Sequence, residues 1–193
     1  MRKLIVCNII SLDGFYEGPG NNVMALPFDE AFDEYNAGLL RNAETLLEGR
    51  TTFIQSAHYW PTLADNPYVG SVEQEVAKRL NEMDKVVISD SLSSEEAGPW
   101  NDVLIIKRKD AHVAIKKLKN KSGKNIIIFG SHKTWNDLLL AGLVDELHML
   151  IGPALLGVGT PVFEKETPVK LELLEARQLK NSQLVLHRYK VQQ

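Results

Sequence analysis

Two short runs, Leu4-Ile5-Val6-Cys7-Asn8-Ile9-Ile10 and Asn125-Ile126-Ile127-Ile128-Phe129, are apolar almost without interruption and rich in β-branched residues. A strand with no in-out alternation has no polar face to give to water. Both faces must then be covered, as they are in a sheet that lies between helices. The rest of the chain supplies the covers. Between positions 28 and 42 the apolar residues Phe28, Phe32, Tyr35 and Leu39 recur at spacings of four, three and four, which predicts one helical stripe. Positions 71–83 predict a second amphipathic helix. Asp110 stands where it would cap a basic helix running to Lys119, and a fourth helix begins at Ser131 and stops at Gly142. Further strands are expected at 44–48, 85–89, 103–106 and 146–151, with loops at 60–70 and 95–101. The tail differs: 170–180 and 182–191, separated by Asn181, read as two antiparallel strands. The expectation is one α/β domain with a mostly parallel sheet and an antiparallel edge.

Charge and cysteine content narrow the function. Lys plus Arg is 22 and Asp plus Glu 25, a net charge of −3, so no basic excess favours nucleic acid or an anionic membrane, and the expected partners are small molecules or proteins. The single cysteine, Cys7, has no partner for an internal disulfide, and Met1-Arg2-Lys3 leads into a strand rather than a secretory signal; the expected location is the cytoplasm. No stretch approaches the roughly 20 apolar residues that cross a bilayer.

Two strand-to-helix junctions carry potential chemistry. In Glu48-Gly49-Arg50-Thr51-Thr52, Gly49 permits close backbone approach, Arg50 offers a planar donor fork, and either threonine can cap the helix or donate to a phosphate. The second is Phe129-Gly130-Ser131-His132-Lys133-Thr134. Each is also an ordinary way to turn from strand into helix. If their strands are parallel, however, both lie at the carboxyl rim, where open α/β sheets bind ligands. At the end of the 85–89 strand, Ser89-Asp90-Ser91 is either a simple turn or a contact for a ribose or its phosphate.

The order of these pieces resembles the dihydrofolate-reductase-like superfamily, and within it the reductase domain at the C-terminal end of the bifunctional riboflavin-biosynthesis deaminase/reductase. The matching residues are Ser11-Leu12-Asp13-Gly14, Gly49-Arg50-Thr51-Thr52, Val86-Val87-Ile88-Ser89, Ile126-Ile127-Ile128-Phe129-Gly130-Ser131, and the block from Gly142 to Gly159 that includes Pro153-Ala154-Leu155-Leu156-Gly157. The resemblance covers nearly the whole chain. It implies a three-layer α/β/α domain around an eight-stranded, mostly parallel sheet that binds NADPH. Gly49, Arg50, Thr51 and Thr52 would hold its phosphates, Ser89 would lie near the adenosine ribose, and Gly130, Ser131, His132 and Lys133 would line the pyrophosphate. Asp13 and Gly14 would sit beside the nicotinamide. The chain departs from the family in having Gly130-Ser131 for a glycine pair and Phe129 where riboflavin reductases commonly carry an acid; a deaminase half is also missing.

Asp33 is the candidate proton donor. It stands 16 positions before Gly49, similar to the helical carboxylate of bacterial dihydrofolate reductases, although Asp29, Glu30, Asp33 and Glu34 also describe a solvated face. Asp13 is either a catalytic neighbour of the cofactor or part of a turn. Phe15, Phe32, Trp60 and Phe129 are expected to line the substrate pocket, Tyr16 to join its aromatic wall or cover the sheet edge, and the run 17–22 to act as a lid or a plain flexible loop. His58, His112, His132, His148 and His187 show no metal-ligand spacing, and no metal is expected. The expected activity is NADPH-dependent hydride transfer to a small heterocyclic or carbonyl metabolite, the class that includes riboflavin-pathway reduction of a phosphoribosylaminopyrimidine. The alternative is a non-catalytic nucleotide-binding module. Either would be a homodimer, for which Leu184, Leu186 and Tyr189 offer an apolar contact.

Overall fold

The computed structural model describes residues 1–164 and 168–192. In chain order it contains β1 (Leu4–Ser11), β2 (Phe15–Glu17), α1 (Glu30–Leu40), β3 (Ala43–Gly49), α2 (Arg50–Tyr59), α3 (Ser71–Glu82), β4 (Asp84–Ile88) and β5 (Val103–Ile106). There follow α4 (Ala111–Lys119), β6 (Asn125–Phe129), α5 (His132–Leu140), β7 (Glu146–Gly152), β8 (Thr160–Pro161), β9 (Lys170–Gln178) and β10 (Val185–Gln192). Eight strands form one sheet in the order β5-β4-β3-β6-β1-β7-β10-β9. All pairs from β5 to β7 are parallel, and β10 pairs antiparallel with both β7 and β9. This is the mostly parallel sheet with an antiparallel C-terminal edge expected from the sequence.

The two unbroken apolar runs pair with each other as β1 and β6, Leu4 beside Ile126 and Cys7 beside Phe129, at the centre of the sheet. Their alternate residues feed separate cores. Ile5, Cys7 and Ile127 pack with Leu40 of α1, Phe53 of α2 and Leu80 of α3; Leu4, Val6 and Ile128 pack with Ile115 of α4 and Trp135 of α5. A polar face on either strand would leave one layer without a partner. The chain passes from β1 to β3, runs outward to β5, and returns to place β6 between them. Connections reverse there, so a crevice opens beyond the carboxyl ends of β1, β6 and β3.

Several details differ from the sequence reading. A two-stranded ribbon of β2 and β8, Phe15 beside Pro161 and Glu17 beside Thr160, is too short to leave a periodic signal. Asp110 precedes α4 without a side-chain cap bond, because a single 3-10 turn at Arg108–Asp110 already winds into the helix. Leu184 and Leu186 are 1% and 0% exposed, so they are core residues rather than a contact between copies. The exposed leucines of the hairpin are Leu171, Leu173 and Leu174 on the edge strand β9. Gly142 and Asn181 do take the left-handed conformation that ends a helix and turns a hairpin, at φ of +66° and +57°. No helix among the described residues is long and apolar enough to cross a membrane.

Candidate active site

β3 and β6 are parallel neighbours, so the junctions that follow them meet on one rim. They are fastened together. The Gly49 amide donates to Ser131 Oγ at 3.0 Å, the Ser131 amide donates to Thr52 Oγ1 at 3.1 Å, and the Gly130 amide donates to Asn8 Oδ1 at 3.0 Å. Gly130 and Ser131 both lie in the left-handed region, at φ of +58° and +50°. A Cβ on Gly130 would sit 3.1 Å from Tyr16 Oη and 3.2 Å from Thr52 Cγ2, and one on Gly49 would run into Thr134 Oγ1. These glycines let the side chains of Thr134, Tyr16 and Thr52 lie close against the two bends, which a side chain at either would obstruct.

α2 and α5 therefore start side by side, and neither has a side-chain cap on its first-turn amides. Ser131 occupies the N-cap position of α5 but turns its hydroxyl to Gly49, and the N-cap of α2 is Gly49 itself rather than a threonine. Two uncapped helix starts present converging donors and partial positive charge, the environment that suits a phosphate. Thr51 and Lys133 are exposed beside them. Arg50 is not idle: its guanidinium is forked onto Glu96. His132 stacks on Tyr16 with ring centroids 5.2 Å apart, and its Nε2 is buried without a partner. Ser89 corresponds to the turn reading, since it is buried and its Oγ accepts from the Ser91 and Leu92 amides at 3.1 and 2.9 Å.

Below this rim lies a cavity of about 260 Å³. Phe32, Trp60 and Phe129 line it as expected, together with Tyr16. Phe15 does not; it is held in the β2–β8 ribbon, whose alternation turns its neighbour Tyr16 inward. The polar part of the wall is Asn8, Asn36, Glu48, Thr52, Gln55 and Ser56, and among the described residues it contains no lysine, arginine or histidine. Cys7, also in the wall, is buried, donates to Asn36 Oδ1 at 3.4 Å, and has its thiol pushed up by burial, consistent with an inert core cysteine.

The acid in this cavity is Glu48 and not Asp33. Asp33 is half-buried on α1 but is not part of the cavity wall; burial lifts its carboxyl to about 6, with Glu73, Asp29 and Glu30 adding repulsion. Asp13 is likewise committed elsewhere. Its carboxylate accepts from the Leu156 and Gly157 amides at 3.1 and 2.8 Å and ties down the loop after β7. The Ser11 hydroxyl, then the Gly157 amide, hold it below the usual carboxylate range. Gly14, at φ +82°, serves the same corner, and its carbonyl accepts from the Val162 amide. Glu48 is 2% exposed, and Ser56 Oγ donates to its Oε1 at 3.0 Å while Oε2 has no partner. Burial pushes it up to about 8, against a smaller opposing pull from Ser56. The signal for it was present in the sequence: a carboxylate directly before the glycine that ends a buried strand, at the rim where such sheets bind ligands.

A larger hollow of about 540 Å³ opens at the opposite end, walled by Lys3, Tyr35, Glu146, His148 and Arg188 among others. Several of its polar groups bond one another. Tyr35 Oη and His148 Nδ1 are 2.8 Å apart, His148 Nε2 and Glu146 Oε2 2.9 Å, and Arg188 bridges Glu146 and Glu175 at 3.2 and 3.0 Å. This network ties β7, β10 and α1 together. Among the described residues no group of three or more His, Cys, Asp or Glu is placed to hold a metal.

Comparison with known proteins places the family and the fold. The family model described as the RibD C-terminal domain matches residues 2–185. The uncharacterized protein YyaP of Bacillus subtilis (strain 168) is 27% identical over 191 residues, covering 96% of this chain and 95% of its own. The crystal structure of a pyrimidine reductase-like protein from Corynebacterium diphtheriae superposes with a TM-score of 0.69 at 20% identity, covering 100% of this chain and 92% of the other. Dihydrofolate reductase from Enterococcus faecalis, complexed with NADP(H), superposes with a TM-score of 0.58 at 16% identity, covering 98% and 94%.

Proposed function

We propose that this chain, which belongs to the RibD C-terminal domain family, is an NADPH-dependent reductase of a small carbonyl or heterocyclic compound. The observation that carries the reading is the pair of bends at Gly49 and Gly130, which open two uncapped helix starts over one cavity. The donor set fits a phosphorylated dinucleotide. Amides at the start of α2 and α5, with Arg50, Thr51 and Lys133, would hold the phosphates, and the missing Cβ atoms of Gly49 and Gly130 keep the cradle open. When bound, the reduced nicotinamide supplies hydride. The protein's part is to hold the acceptor flat among Phe32, Trp60 and Phe129, exclude water, and provide a proton.

Loss of reduced-nicotinamide absorbance, followed against a panel of neutral carbonyl compounds, pterins and ribosylaminopyrimidines, tests the assignment. Oxidation that depends on one acceptor class supports it. Dinucleotide binding with no turnover of any class favours a nucleotide-binding module instead.

A further inference from the structure

Two buried polar atoms of the cavity residues have no hydrogen-bond partner among the described residues: Oε2 of Glu48 and Nδ2 of Asn8. The bonds at their other ends set their characters. Asn8 Oδ1 accepts from the Gly130 amide at 3.0 Å, so the opposite end of the side chain is the NH2 donor. Glu48 Oε1 accepts from Ser56 Oγ at 3.0 Å, so a proton on this carboxyl resides on Oε2.

Burial decides whether that proton is present. An ionised Glu48 would be an unpaired charge out of water, because the wall contributes no cation to offset it. The polar and titratable groups that share the cavity with it are Thr52, Gln55 and Ser56 of α2, Asn36 of α1, Cys7 and Asn8 of β1, and Tyr16 of β2. Only Cys7 and Tyr16 among these titrate, and burial foremost pushes both up, Tyr16 to about 12, so neither is charged at neutral pH. The cavity is therefore a neutral, mainly apolar slot with two orphaned donors. A ligand edge made of N–H groups, as in an amidine, would face donors with donors and leave them desolvated and unpaired. A carbonyl oxygen, with two lone pairs, is the complementary acceptor for donors of this kind.

Resting on the reductase reading above, we infer that Glu48 is the catalytic proton donor and that the substrate is a neutral, flat compound whose reducible carbonyl oxygen accepts from Glu48 Oε2–H and Asn8 Nδ2–H. In the reaction the carbonyl carbon gains hydride at the expense of a reduced nicotinamide dinucleotide, which is left oxidised. The C=O π bond breaks as its oxygen takes the proton from Glu48 Oε2, giving an alcohol. The carboxylate regains a proton from water.

The test uses the full chain, its Glu48→Gln and Asn8→Ala variants, and menadione, cyclohexenone and a diaminopyrimidine as probes. Infrared spectra at neutral pH are expected to show a protonated-carboxyl band that Glu48→Gln removes, a readout that needs no cofactor. Menadione or cyclohexenone is expected to bind and shift that band, and the diaminopyrimidine is not. Reduction should fall by about 100-fold or more in Glu48→Gln, and the wild-type rate should decline above about pH 8 where the variant's does not. Asn8→Ala should raise KM for the carbonyl more than it lowers kcat. NADPH titration of Glu48→Gln separates the two readings: unchanged binding with lost reduction supports the assignment. Absence of the carboxyl band, preference for the diaminopyrimidine, or undiminished reduction by Glu48→Gln would overturn it, even with NADPH binding intact. Failure of NADPH to bind the wild type would instead remove the reductase reading.

Discussion

The amide of Gly49 donates to the hydroxyl of Ser131 at 3.0 Å, so two junctions 82 residues apart in sequence form one structure. Ser131→Ala would leave a part-buried amide unpaired. Its unfolding free energy in urea should drop by about 1–2 kcal/mol, with NADPH affinity reduced several-fold. Ser131→Gly loses the same bond but relieves a left-handed backbone at φ +50°, and should recover roughly 1 kcal/mol of that loss.

Gly49 faces Thr134 closely enough that an added methyl collides with its hydroxyl. Gly49→Ala should therefore cost on the order of 1–3 kcal/mol. Thr134→Ala removes the obstructing oxygen and leaves its Cβ at ordinary contact distance, 3.7 Å, so the double variant should regain more than half of the loss. Denaturation of the four proteins measures the coupling. Strictly additive effects would mean that the two junctions are not in contact.

Glu96 holds Arg50, one of the cations of the proposed phosphate cradle. Glu96→Gln should release the guanidinium and tighten NADPH binding by roughly 3- to 10-fold at low ionic strength, with the gain fading as salt rises. Calorimetric titration at two salt concentrations checks it. An unchanged affinity would show that Arg50 does not reach the phosphates.

Much of the architecture was legible in the sequence, because its cause is local. The runs at 4–10 and 125–129 need two covers, and Gly142 and Asn181 mark turns that few other residues make. Which carboxylate faces the cavity was less legible. Asp33 lies on a helix that does border the cavity through Phe32 and Asn36, but helical geometry turns it away, whereas Glu48 alternates into the wall from β3. Ser131 stands at the N-cap position of α5, yet a partner 82 positions away claims its hydroxyl. Such choices depend on which strand lies beside which, and β6 inserting between β1 and β3 is a tertiary event that no spacing records.

Glu48 should also leave a mark on stability. Its carboxyl titrates near 4.5 in the unfolded chain and at about 8 in the folded one. Between these values the folded protein keeps a proton that the unfolded chain has released, so stability falls as pH rises from about 4.5 to about 8 and then levels. At about 1.4 kcal/mol for each tenfold change in proton affinity, the decline amounts to a few kcal/mol. Glu48→Gln should lack this slope, and urea denaturation across that range would reveal it. Parallel profiles would place the carboxyl in contact with water.

Trp60 in the cavity wall provides a built-in fluorescent reporter for dinucleotide binding. Equilibrium titration of the full chain with NADPH and with NADH, beside an Arg50→Ala, Lys133→Ala double variant, addresses the cradle itself. Saturable quenching by NADPH, weakened at least roughly tenfold in the variant while its unfolding midpoint is unchanged, is the expected result. Quenching that never saturates with either dinucleotide, or equal affinity in the variant, would contradict a phosphate site at these two bends.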